Sequence, residues 1–166
     1  MSSIRQISTA STVKTISVKS VEQARRIDEA IARRAYEIFE RRAGIGRHEL
    51  RDWREAESEV RSKLCFSLGS SDDSVLVGFD LARFEKDGVE VWVAPRQITI
   101  CGKPTRHKEQ PEWPAHSYGG PVFRVIALPV EVDAGRAVAN VKRCFAEIRL
   151  PMIHPKYEER SRALAA

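Results

Sequence analysis

Four histidines and three cysteines are the residues of this 166-residue chain best suited to nucleophilic or metal chemistry. Cys65, Cys101 and Cys144 lie far apart, and no two have the C-x-x-C spacing of a zinc knuckle or a dithiol redox site. His48, His107, His116 and His154 are scattered over different segments. His107 and His116 share one stretch with Cys101 nearby, but the spacing matches no ligand pattern, so no metal is expected. A Cys101/His107 nucleophile pair would lack both an oxyanion hole and an orienting carboxylate. Asp72 and Asp73 are adjacent carboxylates pointing apart in a turn, which makes them poor acid–base partners. Neither G-x-x-x-x-G-K-[ST] nor G-x-G-x-x-G occurs, and the G-x-G at 44–46 has no strand before it. The residues point to a binding protein, not an enzyme, with no catalytic group and no cofactor.

The charge distribution narrows the partners. Net charge is +5, but residues 1–20 carry Arg5, Lys14 and Lys19 with no acid. Residues 21–64 hold 11 basic and 10 acidic side chains, and residues 65–166 hold 14 and 13. A strong nucleic-acid binder concentrates cations on one face of a domain, so nucleic acid is not an expected partner. No apolar run approaches the roughly 20 residues needed to cross a bilayer, and no membrane partner is expected. Three unpaired cysteines fit a reducing cytoplasm.

The elements follow from period and punctuation. Residues 1–20, rich in Ser and Thr, read as a disordered basic arm, with Ile4, Ile7, Val13, Ile16 and Val18 able to dock on apolar surface. From 21 to 64 the period is helical. Ala24, Ile27, Ile31, Ala35 and Ile38 form one stripe, and Leu50, Trp53, Ala56, Val60 and Leu64 a second, with Gly44 and Gly46 between them. Ser20 with Gln23 reads as a capping box. The expected unit is an antiparallel helical hairpin, Trp53 packing on Tyr36 or Phe39. After Leu64 the period drops to two, in short runs separated by turn-formers at 69–73, 86–88 and 102–104. The fold class is therefore α+β: a helical hairpin at 21–64, an all-β immunoglobulin-like antiparallel sandwich at 65–153, and a C-terminal tail at 154–166.

Two resemblances add to this. R-R-A-Y-E-I-F-E-R-R-A-G at 33–44 and D-W-R-E-A-E-S-E-V at 52–60 resemble a short bacterial family of unknown function. L-P-V-E-V-D-A-G-R-A-V-A at 128–139, S-Y-G-G-P-V-F-R-V at 117–125 and I-R-L-P at 148–151 occur in the order of the α-crystallin domain of small heat-shock proteins. That resemblance implies an ATP-independent holdase for unfolded or destabilised clients. It maps a groove for extended segments onto Val89, Val91 and Val93 on one strand and Ala137, Ala139 and Val141 on another. It also implies a homodimer formed through the loop at 103–120, with Trp113 and Tyr118 as aromatic anchors. Residues 152–166 contain no Ile-x-Ile, so a large oligomer is not expected. The alternative is a non-chaperone adaptor using the sandwich edge and the hairpin. Within the motif, Pro129 should end a strand, Val132 re-enter the core, and Asp133 cap the turn. Arg143-Cys144 is poorly suited to a tight turn, so a longer or bulged connection is expected there.

Overall fold

The computed structural model describes residues 5–10 (as backbone), 13–42, 45–46, 48–86, 88–105 and 119–153. The chain runs β1 (Arg5–Ala10), β2 (Val13–Ser17), α1 (Ser20–Arg41), α2 (Glu49–Val60), β3 (Phe66–Ser70), β4 (Ser74–Asp80), β5 (Val89–Ala94), β6 (Gln97–Gly102), β7 (Val122–Ala127), β8 (Val138–Lys142) and β9 (Phe145–Pro151). One sheet has the order β1-β2-β5-β6-β7 and the other β3-β4-β9-β8. Every pairing is antiparallel except β2 with β5, which is parallel.

The sandwich core forms where inward-facing positions of the two sheets meet. Val75, Val77 and Phe79 of β4 pair in register with Leu150, Ile148 and Ala146 of β9, and all six are buried. From the other sheet come Val91, Val93, Ile98 and Ile100. Full burial of each larger side chain contributes roughly 1.5–3 kcal/mol. The motif residues act locally as expected: β7 ends at Ala127, Val132 is fully buried, and Asp133 Oδ1 accepts a hydrogen bond from Gly135 N at 2.9 Å.

The helical hairpin forms a third layer on the outer face of the β5–β6–β7 sheet. Ile27, Ile31 and Ile38 of α1 and Ala56 and Val60 of α2 pack in one cluster with Trp92, Cys101 and Phe123. Two expectations change here. Gln23 does not cap its helix; it is fully buried, and its Nε2 donates to Val18 O at 2.9 Å. Its Oε1 accepts from Thr99 Oγ1 at 2.7 Å and Gln97 Nε2 at 2.9 Å, pinning α1 to β6. Trp53, Tyr36 and Phe39 are all exposed, so they do not form the hairpin's inner packing. Ion pairs join the helices instead. Arg34 bonds Glu59, both side chains being nearly buried, and Arg42 bonds Asp52 and, at 2.9 Å, Glu55.

The connection between β8 and β9 also departs from expectation. Lys142 pairs with Phe145 across a tight turn, and Arg143 adopts φ 57° in place of the glycine or asparagine such geometry favours. The ladder on both sides fixes this register, so the strain stays in one residue.

Candidate functional site

The six positions expected to form a groove lie on β5 and at β8, one strand from each sheet of the sandwich. The alternation of β5 sends Val89, Val91 and Val93 inward, all three buried. Ala137, just before β8, and Ala139 within it are buried in the same cluster, and Val141 packs against it half-buried. The topology therefore brings all six positions together.

It does not leave them open. Segment 13–17, expected to belong to a disordered arm, lies along β5 as β2. Val13 pairs with Val89, Thr15 with Val91 and Ser17 with Val93. Val18 N extends the ladder to Val93 O at 2.9 Å. Val13 and Thr15 share the inward face of their β5 partners, with 1% and 0% of their surfaces exposed. β1 and β2 both lie against β8, so the hairpin they form closes this side of the sandwich. The reason lies in V-K-T-I-S-V: Val13 and Thr15 face the sandwich, while Ile16 and Val18 join the helix-layer cluster. A segment buried on both faces shows no clean polar alternation, so it reads as an irregular arm.

Thr15 is the polar exception in this seal. Its hydroxyl is buried and has no hydrogen-bond partner among the described residues. Nothing in the sequence singles out Thr15, and Gln23 is legible there only as a helix cap. The available signal was the interruption of the polar N-terminal segment by Val13, Ile16 and Val18.

Among the described residues, the groups considered for chemistry are not assembled. Cys101 faces the helix layer, and burial pushes its thiol up to about 12, the Glu90 carboxylate adding to the effect. Cys65 and Cys144 are exposed, not embedded in apolar surroundings. Arg26 lies over the Trp92 ring at 5.2 Å, and Trp92 Nε1 donates to Glu90 at 3.0 Å. No group of three or more His, Cys, Asp or Glu side chains that could hold a metal is present among the described residues. His107, His116, His154 and the loop anchors Trp113 and Tyr118 lie outside those residues. The edge of β3 away from β4 carries no strand among the described residues.

A family model described as "Protein of unknown function (DUF2934)" matches residues 26–62. No curated protein matches the chain. Among solved structures, heat shock protein 16.0 from Schizosaccharomyces pombe is similar at 21% identity, covering 57% of this chain and 76% of its own, with a TM-score of 0.44. HspA from Xanthomonas axonopodis is similar at 20% identity over 54% of this chain and 92% of its own, TM-score 0.43. A small heat-shock protein from Xylella fastidiosa is similar at 20% identity over 57% and 89%, TM-score 0.43. Over part of its length the chain is thus similar to small heat-shock proteins, and over residues 26–62 to a family of unknown function.

Proposed function

We propose that the protein is an ATP-independent holdase that takes up extended apolar segments of destabilised proteins along β5, opposite β8. The observation that carries this reading is β2 itself. It is an extended segment rich in Val, Ile, Ser and Thr, remote from β5 in the chain, and it is bound by strand addition with alternate side chains seated inward. A client segment of similar pattern can make the same contacts once β2 leaves. Binding requires no catalytic group, and the motif order at 117–151 supports the same reading. In this proposal Val89, Val91, Val93, Ala137, Ala139 and Val141 form the receiving surface. A cytoplasmic setting and a homodimer, with the 103–120 loop of each copy reaching the open β3 edge of the other, belong to the same reading.

The test is light scattering of a heat-labile enzyme at its aggregation temperature, with the intact protein present at equal mass. Suppression without added nucleotide is expected. Aggregation that proceeds unchanged while circular dichroism shows the protein folded overturns the proposal. The adaptor reading is favoured by one observation, the occupied β5 edge. It expects no suppression at any temperature and a constant size by light scattering before and after heating.

A further inference from the structure

The turn end of the helical hairpin presents a surface that the core does not use. Ile45 is 78% and Leu50 64% exposed, and the exposed rings of Tyr36, Phe39 and Trp53 stand in the adjoining helical turns. Tyr36 and Phe39 lie side by side, ring centroids 6.4 Å apart. The same stretch of sequence is rich in cations. Residues 41–54 contain five arginines against two carboxylates, whereas the rest of 21–64 has six cations against eight carboxylates. One of the two, Asp52, is engaged by Arg42. Arg41, Arg51 and Arg54 make no ion pair among the described residues. His48, Leu50, Arg51 and Arg54 line a recess of about 330 Å³.

We propose that this end of the hairpin docks on the surface of bilayers carrying anionic headgroups. Ile45 and Leu50 enter the acyl boundary, Trp53 and Tyr36 sit at headgroup level, and Arg41, Arg51 and Arg54 meet the phosphates. Amphipathic rings, exposed aliphatic side chains and excess arginine in one place are what an interfacial contact requires. The apolar side chains stand on a turn, not in a groove, so no surface is shaped for a partner helix. A nucleic acid would engage the arginines but leave Ile45 and Leu50 in water. The sequence expectation of no membrane partner rested on the lack of a spanning segment. No described helix is long and apolar enough to cross a membrane, and docking at the surface needs none.

The experiment is co-sedimentation of the full chain with vesicles of phosphatidylcholine alone and of equimolar phosphatidylcholine and phosphatidylglycerol. Binding to the mixed vesicles only, released by high salt, is expected. The double variant Ile45→Ser/Leu50→Ser keeps the charge and is expected to weaken binding at least about tenfold. Arg51→Gln/Arg54→Gln is expected to weaken it roughly 30-fold. Lys86→Gln/Lys142→Gln removes the same charge from exposed positions elsewhere and should bind like the parent. All these side chains lie outside the core clusters, so the variants keep the fold. Absence of binding to the mixed vesicles overturns the proposal. So does unchanged binding by Ile45→Ser/Leu50→Ser, which would mean adsorption by charge alone. Binding of a duplex DNA oligonucleotide that competes with the vesicles and is insensitive to Ile45→Ser/Leu50→Ser would assign the patch to nucleic acid instead.

Discussion

At the scale of single residues, Thr15 is the weak point of the β2 seal. A buried hydroxyl without a partner costs about 1–3 kcal/mol relative to water, and Thr15 carries that cost inside the sandwich. Valine has the same shape without the hydroxyl. Thr15→Val is therefore expected to raise stability by about 1 kcal/mol, seen as a higher urea midpoint at unchanged slope. If β2 must leave for clients to enter, the same variant should suppress aggregation less well at a given temperature. A stabilised variant with full holdase activity would separate the seal from the function. The sequence carried no sign of this role, because a threonine in a Ser/Thr-rich segment looks like every other one until its neighbours are known. Val132 and Asp133 were legible for the opposite reason. Their roles depend on a proline and a turn within a few residues, and Asp133 bonds the amide only two positions on.

At the scale of elements, the helical layer is held by a mixture the periodicity half revealed. Ile27, Ile31 and Ile38 were readable as a stripe, and all three are buried. Ala35 packs against the same cluster half-buried, and only Ala24, the first member of the stripe, is exposed. Gln23 takes the buried position expected of Ala24, and Arg34 is buried beside Ala35. Both polar residues find partners that local spacing cannot reveal: Thr99 lies 76 positions from Gln23, and Glu59 is 25 from Arg34. A charge run in a helix is normally a solvated face, so nothing in the local sequence marks Arg34 and Glu59 as a buried pair. Gln23→Ala removes the donor to Val18 O and the acceptor for Thr99 and Gln97, and should destabilise the protein by about 2–3 kcal/mol. Loosening of the layer has a separate readout. Cys101, shielded by the hairpin in the parent, should become reactive to a thiol reagent under native conditions, alongside the exposed Cys65 and Cys144. Unchanged stability and an inert Cys101 would show that the apolar contacts alone hold the helices.

At the scale of the whole molecule, β2 ties the three layers together, and this decides how the proposed groove can open. Removing β2 from β5 withdraws Val13 from the sandwich core and Ile16 and Val18 from the helix-layer cluster. It also breaks the Val18–Gln23 hydrogen bond. Release is therefore a joint event of the N-terminal hairpin and the helical layer, and such sub-global openings become populated as conditions approach unfolding. A holdase built this way would be closed in unstressed conditions and open under heat, without any nucleotide. A covalent lock tests the chain of argument directly. Lys14 and Glu90 are register partners on the face away from the sandwich core, Lys14 exposed and Glu90 half-buried. Lys14→Cys/Glu90→Cys, in a background with Cys65 and Cys144 replaced by Ser and Cys101, the β6 register partner of Glu90, replaced by Ala, can join β2 to β5 through a disulfide. The oxidised protein should melt higher than the reduced one but fail to suppress client aggregation, and reductant should restore suppression. Full activity in the oxidised state would exclude displacement of β2 and move client binding to another surface, with β2 then a permanent strand of the fold.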